Sequence, residues 1–122
     1  MTKKFIFCFD IDNTICKTVG SDYNSSKPKK KIINKINKLY KNGHTIKIYT
    51  ARYMGRNKDN VYKANKQGYK KTYNQLIKWG LKFHKLSISK PSSSDCSTII
   101  SSPLRILEIS SLEITWPMVL FI

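Results

Sequence analysis

The chain has 122 residues, 40% of them hydrophobic, and carries a formal net charge of +16 at pH 7. This length predicts a single domain that is large enough for a hydrophobic core but small for a full doubly wound sheet. No apolar run approaches the length of a membrane span, so the composition argues against a membrane protein.

The cysteines and the basic charge bear on the cellular location of the protein and on its possible partners. Cys8, Cys16 and Cys96 form no Cys-x-x-Cys pair, which predicts reduced thiols and a cytoplasmic protein. All but three of the 23 basic residues are lysine, and lysine, isoleucine and asparagine dominate the composition. An AT-rich coding sequence produces this bias without selection for nucleic-acid binding. We therefore favour composition over a dedicated nucleic-acid surface, although the positive field would attract a phosphorylated substrate.

The chain begins with an apolar run, residues 5–9, that leads into acidic residues. Such a run predicts a strand buried on both faces, as in the centre of a parallel α/β sheet. It is followed by Asp10, Asp12 and Thr14. Ligands bind outside the carboxyl ends of strands in open α/β sheets, so the acidic pair is a candidate site. Two neighbouring carboxylates repel, and one must be neutralised by a proton or a cation. The alternative is a polar turn that merely closes the strand.

The next elements are a polar loop, a helix and a strand. Residues 15–27 read as a loop, and Ser25 or Ser26 is a candidate cap for a helix with Pro28 in its first turn. Apolar residues at helical spacing continue to an Asn42-Gly43 stop. His44 is expected to be solvated. A strand over residues 45–50 then ends in Thr50-Ala51-Arg52.

The middle of the chain carries a weaker pattern. Residues 53–68 have no clean periodicity and are predicted to be a loop. A second helix is predicted over about residues 69–79, with Gly80 as its stop. Its expected inner face consists of Tyr69, Tyr73, Leu76 and Ile77. A third strand over residues 81–89 is followed by Lys90-Pro91.

The order of these motifs over residues 5–91 resembles that of the haloacid dehalogenase-like (HAD) phosphohydrolases, and most nearly the small capsule-biosynthesis phosphatases of bacteria. The resemblance implies a Rossmann-like α/β fold with a parallel sheet and a minimal cap at residues 15–27. It implies that Asp10 is the nucleophile and Asp12 the general acid and base. The remaining roles implied are phosphoryl positioning by Thr50 and Lys90, substrate binding by Thr14, Ala51 and Arg52, and Mg²⁺ binding by Asp10 and the Asp12 carbonyl.

The tail departs from the family pattern, which places an acid pair for the metal after Lys-Pro. No acid pair follows Pro91, and the charge balance changes there: a single basic residue, Arg105, stands against Asp95, Glu108 and Glu113. We therefore divide the chain into a catalytic core, residues 1–91, and an aberrant or divergent tail, residues 92–122. A frameshift near Ser92 and a genuine divergent tail both fit this pattern. Residues 99–113 are expected to include strand-like segments, packed poorly against the first strand.

The sequence thus predicts a Mg²⁺-dependent phosphomonoester hydrolase that acts through an aspartyl-phosphate. Its expected substrate is a sugar phosphate in capsule or polysaccharide biosynthesis, and the missing fourth motif is expected to weaken metal binding. The alternatives are a nucleic-acid-binding protein and a nucleic-acid end-phosphatase that uses the basic surface. The oligomeric state and the sugar stay open.

Overall fold

A parallel four-stranded sheet with strand order β5-β4-β1-β6 forms the centre of the molecule. The computed structural model describes residues 4–58, 60–92 and 94–115. The strands are β1 (Ile6–Asp10), β2 (Cys16–Lys17), β3 (Lys27–Pro28), β4 (Thr45–Thr50), β5 (Lys85–Ile88) and β6 (Thr98–Ile100). The helices are α1 (Lys30–Lys41), α2 (Val61–Lys78) and α3 (Pro103–Thr115). None of the helices among the described residues has both the length and the apolar character needed to cross a membrane.

Strand β1 is internal, as predicted. Phe9 lies opposite Ile48 of β4 on one side and Ile100 of β6 on the other, and both pairings are parallel. Strand β4 also pairs in parallel with β5. The parallel sheet and its helices make a small Rossmann-like α/β fold, which confirms the predicted fold class.

One face of the sheet packs against all three helices. Side chains alternate between the two faces of a strand, so Phe5, Phe7 and Phe9 share one face. They belong to a core cluster that also contains Ile36 of α1, Leu76 of α2 and Ile106 of α3. Burying an aromatic or large aliphatic side chain contributes roughly 1.5–3 kcal/mol, so this cluster is the main source of stability.

The opposite face is covered by the extended chain that precedes β6. Lys47 Nζ donates a hydrogen bond to the Asp95 carbonyl (3.1 Å), and the Ile6 amide donates to Ser97 Oγ (3.0 Å). Ser97 in turn donates its amide to the Ile6 carbonyl (2.8 Å). The expectation of a poorly packed tail is therefore wrong for residues 94–109, where β6 extends the sheet and Ile106 and Ile109 are buried. Residues 116–122 lie outside the described part of the chain.

The expectation of three reduced cysteines is also wrong. Cys8 of β1 and Cys96 form a disulfide, with Cα atoms 5.8 Å apart and a separation of 88 positions in the sequence. Cys16 is free and buried. Connectivity of this kind does not follow from spacing, because it depends on β6 pairing beside β1. The cysteines therefore no longer support the predicted cytoplasmic location.

The helix boundaries differ from the predictions at both N-termini. Helix α1 begins at Lys30 rather than at a serine cap, because Pro28 belongs to β3 and pairs with Cys16. Helix α2 begins at Val61, eight residues early, where the Asn60 side chain accepts a hydrogen bond from the Lys63 amide (3.0 Å). That cap lay inside the segment predicted to be a loop.

The inner face of α2 also differs from the prediction. Its buried residues are Ala64, Gly68, Thr72 and Leu76. Tyr69, Tyr73 and Ile77, by contrast, are 37%, 40% and 52% exposed. At Gly68 the Tyr53 ring fills the space that a larger side chain would need. Small residues carry no hydrophobic periodicity, so the sequence pattern did not identify this face of α2.

His44 is fully buried rather than solvated. Its Nδ1 accepts a hydrogen bond from the Phe5 amide (3.1 Å), and its ring stacks on the Phe5 ring. Burial lowers the pKa of His44, and the nearby charge of Lys4 lowers it further. His44 therefore joins the start of β1 to the start of β4 in its neutral form.

Candidate functional site

The carboxyl ends of β1, β4 and β5 meet at one edge of the sheet, as parallel strands require. A cleft of about 120 Å³ opens there. Its lining includes Asp10 from the end of β1, Thr50 and Ala51 from the end of β4, and Lys90 beyond β5. Four of the predicted site residues are thus on one cleft, brought together by the sheet from positions up to eighty residues apart.

Asp10 is the half-buried acid of this cleft. Burial raises the pKa of its carboxyl group above the ordinary value, and the neighbouring charge of Asp12 raises it further. A hydrogen bond from the Ile11 backbone and the charge of Arg52 act in the opposite direction. A carboxylate in this environment gains stability when a cation or an electrophilic group approaches it.

Asp12 lies outside the cleft lining and is held by a buried arginine. Arg52 Nη2 donates to Asp12 Oδ1 (2.8 Å) and Arg52 Nε donates to Asp12 Oδ2 (3.0 Å). Thr18 Oγ1 donates a further hydrogen bond to Asp12 Oδ1 (2.5 Å). The Asp12 side chain keeps 22% exposure while that of Arg52 keeps 1%. These contacts fix the orientation of the Asp12 carboxylate and leave it accessible.

Arg52 has its guanidinium occupied by protein groups on every side. Besides Asp12, it donates from Nη1 to Gln75 Oε1 of α2 (2.5 Å), and its Nη2 donates to Ser26 Oγ (3.4 Å). Its Cζ lies 4.8 Å from the ring centre of Tyr23. The resemblance implied that Arg52 binds substrate, but in this structure it binds Asp12. Charge-assisted bidentate pairs of this type combine strength with fixed geometry.

Thr14 is also outside the lining of the cleft. It is 1% exposed, and its Oγ1 has no hydrogen-bond partner among the described residues. The turn that carries it is tight: Ile15 donates its amide to the Ile11 carbonyl (2.9 Å), and Asn13 has φ of 61°. Thr14 therefore belongs to the turn that carries Asp12, and its role in substrate binding stays a prediction.

Two non-glycine residues with positive φ flank the Asp12–Arg52 pair. They are Asn13 (φ 61°), directly after Asp12, and Tyr53 (φ 67°), directly after Arg52. Such conformations cost of order 1–3 kcal/mol and persist only where the surroundings enforce them. Their position on both sides of one ion pair supports the idea that its geometry matters for function.

Sequence reasoning missed the residues that hold the Asp12–Arg52 pair: Thr18 donates to Asp12, whereas Ser26 and Gln75 accept from Arg52. Thr18 and Ser26 come from the segment between β2 and β3, and Gln75 comes from α2; Gln75 Nε2 donates in turn to the Tyr23 carbonyl (2.7 Å). A buried arginine always requires such partners. No motif identifies them, because they meet only when α2 packs beside the segment between β2 and β3.

The donor set for a metal is small. Among the described residues there is no group of three or more histidine, cysteine or acidic side chains that could hold an ion. Asp12 already has Arg52 as counter-charge, and the Asp95 carboxylate accepts hydrogen bonds from the Ser92 amide (2.9 Å) and hydroxyl (2.8 Å). Among the described residues, the Asp10 carboxylate and the Asp12 carbonyl are the groups that could hold a Mg²⁺ ion at this edge of the sheet, and such an ion would take its other ligands from water and substrate phosphate.

Comparison with known proteins supports the fold. No protein-family model matches the chain, and no curated protein matches it. Among solved structures it is similar to the crystal structure of a structural-genomics target from Vibrio cholerae, with a TM-score of 0.74 and 23% sequence identity. The alignment covers 89% of this chain and 91% of that chain. At this identity the similarity shows the fold alone.

Proposed function

We propose that the protein is a Mg²⁺-dependent phosphomonoester hydrolase of the HAD type that acts on a sugar phosphate. One observation carries the proposal: Asp10 shares a cleft with Thr50 and Lys90, while Asp12 is held two residues away by Arg52. A nucleophile, oxyanion-binding groups and a second carboxylate are the groups that phosphoryl transfer requires. The proposal includes that this hydrolysis takes place in the cytoplasm, as a step of capsule or polysaccharide biosynthesis.

The chemistry would proceed in two steps. An Asp10 carboxylate oxygen attacks phosphorus while the bond to the leaving oxygen breaks, and that oxygen takes a proton from Asp12. To carry that proton, Asp12 must first give up one of the hydrogen bonds that it accepts from Arg52 or Thr18. Water then attacks the aspartyl-phosphate and gives a proton to Asp12, so that phosphate leaves and Asp10 is restored. Thr50 and Lys90 stabilise the charge on the phosphoryl oxygens. Bound Mg²⁺ would supply additional positive charge for these oxygens.

The decisive experiment replaces the nucleophile. Asp10→Asn should remove metal-dependent hydrolysis of p-nitrophenyl phosphate, since an amide forms no acyl-phosphate, and should leave the thermal unfolding midpoint near that of the wild type. Asp22→Asn is the matched control, because Asp22 is an exposed acid between β2 and β3. The control should keep full activity. Undiminished hydrolysis by the Asp10 variant would refute the mechanism.

The Mg²⁺ concentration needed for activity tests whether so few protein ligands bind the metal weakly. With one carboxylate and one carbonyl from the protein, half-saturation of activity by Mg²⁺ should require concentrations well above the ordinary millimolar range. The measurement is a Mg²⁺ titration of initial rates at constant ionic strength, with the Asp95→Asn variant as control. The control should behave like the wild type, because Asp95 binds Ser92. Saturation of the wild type at about 1 mM would contradict this prediction.

A nucleic-acid end-phosphatase is the second candidate, favoured by the net charge of +16. A positive surface attracts polymeric phosphate, and none of residues 18–26, the segment between β2 and β3, lines the Asp10 cleft. Rates on a sugar phosphate and on a 3′-phosphorylated oligonucleotide, measured at two salt concentrations, distinguish the two substrates. Steep loss of the oligonucleotide rate with salt would favour nucleic acid.

A further inference from the structure

A second cleft, separate from the one at Asp10, lies between α2 and the segment that joins β2 to β3. Its volume is about 330 Å³. Lys71, Gln75 and Lys78 of α2 line one side, Trp79 lies at the end of that helix, and Tyr23 faces them from the other side. The two clefts share no lining residue.

The charge of this second cleft selects for anions. Lys71 and Lys78 are exposed and seven residues apart, which places them on the same side of a helix. Arg52 contributes part of the wall, and none of the lining residues is acidic. Because Arg52 is already paired with Asp12, the positive charge that an anionic group would meet in this space comes mainly from Lys71 and Lys78.

A buried hydroxyl in the same cleft lacks a partner. Thr72 lines the cleft, is 1% exposed, and has no hydrogen-bond partner for Oγ1 among the described residues. A threonine inside a helix can satisfy its hydroxyl with the carbonyl four residues earlier, but Thr72 does not. A buried hydroxyl without a partner destabilises the fold, and a ligand hydroxyl or oxyanion would remove that cost.

The remaining lining residues suit a hydroxylated ring. Tyr23 and Trp79 offer aromatic surfaces, and beside them lies the Gln75 amide, which already accepts a hydrogen bond from Arg52 and donates one to the Tyr23 carbonyl. Ligand sites combine apolar or aromatic walls with a few polar groups in this way. A sugar ring has hydroxyl groups at its edge and C–H groups on its faces, so it matches both kinds of surface.

We propose that this cleft binds an anionic sugar, with the anionic group at Lys71 and Lys78 and a ring hydroxyl at Thr72. Gln75 also accepts a hydrogen bond from Arg52, which binds Asp12. A ligand in the cleft would therefore be connected to Asp12 through the side chains of Gln75 and Arg52. The site does not depend on the proposed hydrolase activity, and its test measures binding rather than turnover.

The test uses Trp79 as the reporter. The chain has two tryptophans, and Trp116→Phe leaves Trp79 as the only one. Glucose 6-phosphate is titrated into this variant without Mg²⁺ and at constant ionic strength, and a saturable change in fluorescence is expected. Glucose and inorganic phosphate, titrated separately, should each bind more weakly than glucose 6-phosphate. Equal binding of inorganic phosphate would overturn the sugar assignment, and an absence of saturation would overturn the site.

Matched variants locate the binding. Lys71→Ala with Lys78→Ala should weaken binding at least 10-fold, whereas Lys66→Ala with Lys70→Ala on the same helix should change it less than about 2-fold. Lys90→Ala should also leave binding unchanged, since Lys90 lines the other cleft. Equal losses in the two α2 pairs would show a general charge effect, and a loss in the Lys90 variant would assign binding to the Asp10 cleft. Either result would refute the proposal.

Thr72→Val separates a ligand contact from a structural role. Valine has a similar shape and lacks the hydroxyl that the protein leaves unpaired, so the unfolding midpoint should stay equal or rise. Binding of glucose 6-phosphate should weaken by about 2- to 10-fold, the worth of one hydrogen bond. Unchanged binding in a folded Thr72→Val protein would remove the hydroxyl from the site and contradict the proposed pose.

Discussion

Arg52 reaches Asp12 with two guanidinium nitrogens and Gln75 with the third. The Arg52 side chain is 1% exposed, so it meets water almost nowhere. Removing one partner of a buried ion pair leaves an uncompensated charge and typically costs 3–5 kcal/mol. Replacing Arg52 by lysine keeps the charge but cannot reproduce the bidentate geometry. A single residue thus supports both the stability of the fold and the orientation of Asp12.

On the proposed hydrolase mechanism, we expect Arg52→Lys to lower kcat about 10- to 100-fold with little change in KM, because a displaced Asp12 would transfer protons poorly. Steady-state kinetics on p-nitrophenyl phosphate measures both constants. Arg105→Lys is the control, since Arg105 is exposed on α3 and should behave like the wild type. A rise in KM at constant kcat would instead assign Arg52 to substrate binding.

Helix α2 makes a close contact with Tyr53, the residue that follows Arg52. Helix α2 passes close to Tyr53 at Gly68, where a built Cβ would overlap the Tyr53 ring. Tyr53 itself has φ of 67° and belongs to a small core cluster with Met54, Ala64 and Ile88. Glycine in mid-helix costs up to about 1 kcal/mol in propensity, so its presence here serves the close approach.

Gly68→Ala should accordingly destabilise the protein by about 1–3 kcal/mol, because the overlap with a rigid ring outweighs the gain in helix propensity. Gly55→Ala is the matched control: its Cβ meets no atom within 4 Å, so stability should change little. Urea unfolding of both variants gives the free energies. A Gly68 variant as stable as the wild type would mean that Tyr53 moves without cost.

Across the whole molecule, the two faces of the sheet are covered by different means. Three helices pack on one face, whereas residues 94–97 cross the other without forming a helix or strand. The Cys8–Cys96 disulfide attaches that extended segment to the central strand. Cross-linking residues 88 apart in sequence removes a large share of the conformational freedom of the unfolded chain.

Reduction of this bond should therefore lower the free energy of unfolding by about 2–5 kcal/mol. The measurement is urea unfolding with and without a phosphine reductant. Cys96→Ser should show the lower stability in both conditions, whereas Cys16→Ser should respond to the reductant like the wild type, because Cys16 is free. A wild type whose stability is unaffected by reductant would contradict the prediction.

The fold class and the position of Asp10 follow from local patterns in the sequence. The apolar run at residues 5–9 predicted the internal strand β1, because such a run is stable only when both faces are covered. The same pattern predicted Asp10 at the carboxyl edge of the sheet, whereas Thr50 and Lys90 were assigned to the site by the resemblance to the HAD phosphohydrolases. The three share a cleft because parallel strands end at one edge.

Tertiary packing alone decided the rest. The start of α2, the pairing of Cys8 with Cys96, the burial of His44 and the partners of Arg52 all join segments that are distant in sequence. Local propensity carries no information on which distant groups will meet, and small residues such as Gly68 acquire their importance only when another side chain approaches them. Residues with clear local periodicity were predictable, and residues whose role is a long-range contact were not.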